Sequence, residues 1–239
     1  MDTTNYVTLS RQIGLQRQMT MIAGNIANAM TTGFQAERPR FEAYLEDAGT
    51  PGNVAFVQQG QPLRDLSPGE VTTTGNRLDV ALAGEGYLAF AAPGGTRYGR
   101  AGHFEIDANG QLVGEHGYPV LDDGGSPIVL PLDDHEITIA EDGNIATRAG
   151  PVARLQIVTF PDQQQMQREG EGLLSTSQTP TPVTDARVVQ GALEGSNVRP
   201  VVEITRMMEV VRAFEGAQRL LDTQHDLDRR AVDRMTAAA

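Results

Sequence analysis

The apolar positions divide the chain into two helix-like ends and a strand-like middle. In residues 3–30, apolar side chains recur every three or four positions, as they do along one face of an α-helix. The same spacing returns in the last forty residues, where it predicts a helix with a coiled-coil seam. The seam positions are Ile204, Met207, Val211, Phe214, Gln218 and Leu221. Glutamates and arginines alternate between them, which is typical of a solvated, ion-paired outer face.

The middle of the chain alternates apolar and polar residues over short runs, a pattern that predicts strands. The dipeptides Asn109-Gly110, Asp123-Gly124 and Asp142-Gly143 are typical of hairpin turns and indicate a meandering antiparallel sheet. Residues 152–160 form another predicted strand. Residues 163–177 are polar and weakly patterned, so we expect a loop or an exposed ribbon there.

Proline supports the same division, because all 13 prolines lie between Pro39 and Pro200. A proline inside a helix removes a hydrogen bond and costs about 3 kcal/mol, so two long proline-free ends favour helices. Gly33 follows the first helical pattern and is the expected stop signal. Ser196 and Asn197 offer N-caps for the second helix, and Pro200 suits its first turn.

Together these patterns predict an α+β fold. Paired long N- and C-terminal helices would form a coiled-coil-like core domain, with an inserted, mainly antiparallel β-domain. The expected boundaries are 1–36 for the N-terminal helix of the core domain, 37–192 for the β-domain and 193–239 for the C-terminal helix.

Composition and charge exclude several classes of function. The net charge of −12 disfavours nucleic acid as a partner, because phosphate binding requires a basic surface. The chain has no cysteine, which removes disulfides, thiolate metal sites and cysteine nucleophiles. No apolar run reaches the roughly 18 residues of a membrane span, so we expect no direct membrane insertion. The first residues lack the basic and apolar regions of a secretory signal.

Three segments resemble chemical sites, and each has a simpler interpretation. Residues 84–89 match a loose nucleotide-binding pattern, but a strand rather than a helix is predicted to follow Gly86. Residues 107–110 begin like a calcium loop, yet Leu112 and Tyr118 occupy the later positions that would need glycine and a carboxylate. Residues 133–136 could hold a metal only weakly, because neighbouring strand residues face opposite sides. We therefore predict no catalytic residues, no cofactor and no metal, and not an enzyme.

The most specific motif is residues 25–34, NIANAMTTGF. Asn25 and Asn28 are three positions apart, so both amides would share one helix face near its C-terminus. Ala27 permits close approach of another helix, and Gly33 supplies the turn before Phe34. An ordinary helix end would explain Gly33 but not the two asparagines. We predict an assembly surface from this motif and the last helix. Its residues are Asn25, Ala27, Asn28, Thr32, Gly33, Phe34, Asn197, Ile204, Met207, Val211, Phe214 and Leu221.

Residues 25–34 resemble the signature of the flagellar axial proteins, the rod and hook subunits of the bacterial flagellum. Gly24 replaces the first asparagine of the usual pair. Three further blocks are similar to that family in the same order. They are residues 74–87 (TGNRLDVALAGEGY), 98–104 (YGRAGHF) and 193–198 (LEGSNV), the last followed by 212–215 (RAFE).

The resemblance implies a structural subunit of the periplasmic flagellar rod that polymerises by helix–helix packing and transmits torque. Its expected partners are other rod subunits, copies of itself and the flagellar type III export apparatus. The segment from Tyr6 to Gln12 looks most like proximal-rod members, and a distal-rod or hook subunit is the nearest alternative. A soluble ligand-binding module that uses the turn at Gly84 and Gly86 is a more distant alternative.

Overall fold

A computed structural model describes residues 2–46, 54–132, 136–183 and 185–237. The chain divides into two compact units. The first, here called the helical unit, comprises Met1–Ala27, Glu37–Arg64 and Arg199–Ala239. The second, the strand unit, comprises Asn28–Ala36 and Asp65–Val198. The predicted domain boundaries at 36/37 and 192/193 stay a prediction.

The described residues contain two α-helices, α1 (Asp2–Ala27) and α2 (Pro200–Ala237), with short strands between them. The strands are β1 Glu37–Arg38, β2 Phe41–Glu46, β3 Val54–Gln59, β4 Leu63–Arg64, β5 Val71–Thr73, β6 Val80–Ala83, β7 Tyr87–Ala92, β8 Gly95–Gly99, β9 Phe104–Ile106, β10 Leu112–Gly114, β11 Thr138–Ile139, β12 Asn144–Thr147, β13 Gly150–Arg154, β14 Ile157–Thr159, β15 Gln167–Arg168, β16 Leu174–Ser175, β17 Thr181–Pro182, β18 Arg187–Gln190 and β19 Ala192–Glu194.

α1 ends earlier than its apolar pattern predicts. The helix stops at Ala27, and residues 28–30 form a turn instead of the last helical turn. The side chain of Asn28 accepts a hydrogen bond from the Thr31 hydroxyl (3.1 Å), and its carbonyl accepts one from the Thr31 amide (3.2 Å). These local bonds compete with helix continuation. Asn25 and Asn28 therefore do not share a helix face as expected.

The buried row of α2 is displaced from the predicted seam. Ile204 and Val211 belong to the predicted seam, but their side chains are 48% and 37% exposed. The row that faces inward shares three positions with the predicted seam and replaces the other three by the residue before each, which gives a spacing of four, three, four, three and four residues. It consists of the buried Glu203, Val210 and Ala217 and the partly buried Met207, Phe214 and Leu221.

The α+β class is correct, but the prediction of paired long helices forming a coiled-coil-like core domain is wrong. A coiled-coil seam needs two apolar residues in every seven along the contact. Here α1 buries Thr8 and Asn25 as well as Ile22, and the inward row of α2 includes Glu203. The contacts between the helices include a polar pair, Gln12 Nε2 to Gln218 Oε1 at 2.7 Å. The large hydrophobic clusters lie in the strand unit instead.

The strand unit consists of several sheets around two large apolar clusters and a small one at Phe34, Ala36 and Val198. Its largest sheet has the order β15-β16-β8-β7-β14-β17, and the pairs between described strands are antiparallel. The largest cluster includes Leu88, Phe104 and Ile145. The second large cluster packs the Tyr98 ring edge-on against Phe160 at 4.8 Å. Residues 163–177, predicted as a loop or an exposed ribbon, contribute the antiparallel pair β15 and β16 to this sheet, and Met166, Leu173 and Leu174 are buried.

Signature residues and candidate assembly surface

Asn25 joins separate parts of the helical unit through its side-chain amide. Its Oδ1 accepts a hydrogen bond from the Glu37 backbone amide (2.9 Å), and its Nδ2 donates one to the Glu37 carbonyl (2.8 Å). Nδ2 also donates to Glu203 Oε2 on α2 (3.2 Å). The side chain is 1% exposed. Asn25 therefore fixes where the chain enters β1 after α1, and it provides an amide partner for a buried acidic group.

Gly33 and Phe34 occupy tightly packed positions in the strand unit. Gly33 has φ +67°, and a Cβ there would lie 2.6 Å from the Ala101 backbone nitrogen. Its own amide donates to the Glu194 carbonyl (2.8 Å). Phe34 is buried, and the Arg168 guanidinium stacks over its ring at 4.2 Å. The requirement for glycine thus comes from close backbone approach as well as from the turn.

Asn197 is a cross-link within the strand unit rather than the expected helix N-cap. Its Oδ1 accepts from the Ala36 amide (2.7 Å), while its Nδ2 donates to the carbonyls of Asp65 (2.8 Å) and Ser67 (2.7 Å). α2 begins three residues later at Pro200. Proline suits the first helical position because it has no backbone N–H that would need a partner there. The prediction that Pro200 lies in the first turn is confirmed.

A buried ion pair that was not predicted connects three of the signature blocks. Arg100 Nη2 lies 2.7 Å from Glu194 Oε2, and the two side chains are 6% and 3% exposed. The same guanidinium donates to the carbonyls of Gly86 (2.8 Å) and Gly84 (3.0 Å). The turn at Gly84 and Gly86 therefore holds an arginine of its own chain, and a strand follows it as expected.

A second buried carboxylate organises the block at residues 74–87. Asp79 accepts hydrogen bonds from the Thr74 hydroxyl (2.6 Å) and the Asn76 side-chain amide (2.9 Å). The Nδ1 of the His103 ring lies 2.7 Å from Asp79 Oδ1. A buried carboxylate that receives several hydrogen bonds is well satisfied. The role of Asp79 is therefore structural, since it holds the residues of this block together through hydrogen bonds.

The calcium-like segment at residues 107–110 is a hairpin turn between β9 and β10, as its sequence predicts. Asp107 Oδ1 accepts from the backbone amides of Gln111 (2.7 Å) and Asn109 (2.8 Å). The Gln111 amide in particular holds the pKa of Asp107 below its ordinary value. Asp133, Asp134 and His135 lie outside the described residues. Within the described ranges, no group of three acidic or histidine side chains is arranged to hold a metal.

The remaining predicted assembly residues differ in exposure. Ala27 is exposed and Thr32 partly exposed, while Asn28 is partly exposed next to the turn it stabilises. On α2, Ile204 and Val211 belong to a continuous apolar row that faces away from the buried row. This outer row has a spacing of three, four and three residues. It consists of Val201, Ile204, Met208 and Val211, which are 78%, 48%, 50% and 37% exposed.

Neither of the two described helices has a stretch long and apolar enough to cross a bilayer.

Three protein-family models match the chain at the signature blocks. "Flagella basal body rod protein" covers residues 6–35, "Flagellar hook protein FlgE/F/G D1 domain" covers 81–147, and "Flagellar basal body rod FlgEFG protein C-terminal" covers 189–234. The buried contacts of Asn25, Arg100 and Glu194 fall at or close to these regions. Terminal helices around a strand-rich middle, with these blocks in this order, define a flagellar rod and hook protein.

The relatives narrow the class further. The flagellar basal-body rod protein FlgF of Caulobacter vibrioides is 40% identical over 98% of both chains. FlgF of Mesorhizobium japonicum is 36% identical over 90% of both. The rod protein FlgG of Agrobacterium fabrum is 33% identical over 89% of this chain and 91% of its own. The chain belongs to the family of the flagellar basal-body rod protein FlgF, and the distal-rod alternative fits less well.

Proposed function

We propose that this basal-body rod protein is built into the periplasmic rod through the outer row of α2, which packs against helices of neighbouring subunits. The observation that carries the proposal is the outer row itself, four apolar side chains on one face of a helix and all exposed. Burying a half-exposed aliphatic side chain contributes about 1 kcal/mol. A row repeated in every subunit gives a contact that is modest per copy and continuous along the polymer.

The neighbours we propose are copies of this chain and other rod subunits. Segments 1–36 and 193–239 supply the assembly contacts, and segment 37–192 lies between them in the sequence. Ala27, Ile204 and Val211 are exposed and would contact neighbours directly. Asn25, Gly33, Phe34 and Asn197 would act within the subunit, since their contacts hold the backbone that leads into and out of the helices. Thr32, Asn28, Met207, Phe214 and Leu221 are partly buried and would contribute to both.

The protein would transmit torque and catalyse no reaction. Torque passes through a polymer when subunits resist sliding past one another, and interlocked apolar side chains resist sliding because interiors are close-packed. Delivery to the rod would require the flagellar type III export apparatus, which is the further partner that we propose.

The experiment is to replace Ile204 and Met208 together by aspartate in the flagellated cell. Aspartate leaves an exposed helix intact but prevents apolar burial at a contact. We expect the purified double variant to keep its helical circular dichroism, while cells lose complete rods and swimming. Thr205→Asp is the matched control, because Thr205 is also exposed on α2 but lies outside the outer row. Normal swimming of the double variant, with rods of normal length, would contradict the proposal.

A further inference from the structure

One segment near the end of the strand unit contacts many of its other parts. This closing segment is residues 187–198, which contain β18 and β19. β18 pairs with β6, placing Val188 opposite Leu82, and β19 pairs with β5, placing Leu193 opposite Thr72. Val188 and Ala192 are buried. The segment therefore supplies the partner strand for two strands that come more than a hundred residues earlier.

Polar side chains of the closing segment complete hydrogen bonding elsewhere in the strand unit. The Gln190 amide donates to the carbonyls of Arg77 (2.8 Å) and Ile137 (3.0 Å) and accepts from the Ile139 amide (3.2 Å). Asn197 contacts three further backbone groups, as described above. Apart from the Ile139 amide in β11, these backbone groups lie outside the strands, and without the segment they would need other partners.

Within the closing segment, Glu194 contributes most to the stability of the strand unit, because it neutralises the buried charge of Arg100. Arg100 donates hydrogen bonds to Glu194 and to backbone carbonyls, and among the described residues Glu194 is the acidic group that pairs with it. Glu194 Oε1 also accepts from the Gly69 amide (3.1 Å), and the Gly195 amide donates to the Glu70 carbonyl (2.8 Å). Burying the guanidinium before Glu194 arrives would leave a desolvated, uncompensated charge. Folding of the rest of the strand unit without Glu194 is therefore unfavourable.

We propose that the closing segment gates folding of the strand unit, which stays unfolded until residues 187–198 are available. A chain that is synthesised or threaded from its N-terminus would then remain without a stable strand unit until almost all of it has emerged. For a chain that is threaded through the export apparatus, the inference rests on the proposed export. The gate itself depends only on contacts within the strand unit.

The test is pulsed hydrogen exchange during refolding of the full chain from urea, read by mass spectrometry of peptides. Amides of β7 and β10, in the core, are compared with amides of 187–195. We expect both groups to gain protection in the same kinetic phase. Protection of β7 and β10 while 187–195 still exchange freely would overturn the proposal. This comparison uses the unsubstituted chain, so it is decisive even if a variant fails to fold.

Glu194→Gln gives a second readout, because it keeps the shape and removes the charge. We expect protection of β7, β10 and 187–195 to slow together by about tenfold or more. Glu169→Gln is the matched control, since Glu169 also pairs with an arginine at 2.7 Å but is 43% exposed. Slowing confined to 187–195 would contradict the proposal. Both measurements use the free chain, so neither outcome depends on whether the outer row of α2 mediates assembly.

Discussion

Replacing Asn25 by aspartate exchanges the side-chain NH2 group for an oxygen at a buried position of the helical unit. The Asn25 Nδ2 donates to the Glu37 carbonyl and to Glu203 Oε2, at 2.8 and 3.2 Å. An aspartate keeps the acceptor for the Glu37 amide but cannot donate when ionised. Two acceptors, one of them a carboxylate, would then face a new negative charge.

The expected loss of stability follows from those contacts. Each lost hydrogen bond contributes about 1 kcal/mol, and leaving its buried acceptor unsatisfied adds a similar or larger cost. Because Asn25 is 1% exposed, water cannot replace the lost donor at little cost. We expect Asn25→Asp to lower the free energy of unfolding of the helical unit by about 3 to 5 kcal/mol.

The assay is urea unfolding followed by helical circular dichroism. With a denaturant dependence of about 2 kcal/mol per molar urea, the loss corresponds to a fall in midpoint of about 2 M. Asn28→Asp is the control from the same motif. An aspartate at position 28 keeps the oxygen that accepts the hydrogen bond from Thr31, and the side chain is partly exposed. The added negative charge just beyond the helix C-terminus costs at most about 1 kcal/mol. Equal midpoints for the two variants would refute the assignment of Asn25 as a buried connection.

Four further predictions concern the strand unit and α1. Gly102→Ala should cost about 3 kcal/mol or more in thermal unfolding, because a Cβ would lie 1.9 Å from the Val80 carbonyl. Gly14→Ala in α1, where a Cβ meets nothing within 4 Å, should be neutral or stabilising by about 0.5 to 1 kcal/mol. Glu194→Gln should destabilise by about 3 kcal/mol or more, and Glu169→Gln should change the urea midpoint much less, both measured by tyrosine fluorescence in urea. The lowered pKa of Asp107 means that its contribution is complete above about pH 4 and is lost as the pH falls through the folded-state pKa. An NMR titration that places this pKa at or above the ordinary aspartate value would contradict the turn geometry.

Local signals in the sequence predict the two helices and several of the hairpin turns. The absence of proline identified both helices, and Asn109-Gly110 and Asp142-Gly143 correctly identified hairpin turns, since such turns depend on a few adjacent residues. The end of α1 was missed by three residues because the Asn28 side chain bonds locally with Thr31. The pattern of residues 163–177 does not indicate that they join the large sheet, because only three apolar side chains are buried within this polar stretch.

The seam of α2 could not be assigned from spacing alone. α2 carries two rows with three-four spacing, the buried row with Glu203 and the outer row with Ile204. The predicted seam took residues from both, since Ile204 and Val211 belong to one and Met207, Phe214 and Leu221 to the other. Which row is buried depends on α1, whose contact includes Asn25, and hydrophobicity did not indicate that a glutamate would face inward.

The candidate site was found as a motif, but its contacts required the fold. Arg100 and Glu194 were both recognised in signature blocks, yet they are 94 positions apart, and sequence spacing does not indicate that they pair. Asn197 was interpreted as a helix cap because Pro200 follows it, whereas its amide joins Ala36 to Asp65 and Ser67. Long-range polar contacts of this kind leave no periodic signal.

The central claim, that the outer row of α2 is the contact between subunits, is tested most directly by a single cysteine at Met208. The chain has no cysteine of its own, so Met208→Cys creates one reactive thiol. In the free protein this position is half exposed and should react readily with a maleimide. In intact basal bodies from cells that assemble the variant, we expect the thiol to be protected. Equal reactivity in free protein and in intact basal bodies would contradict the account.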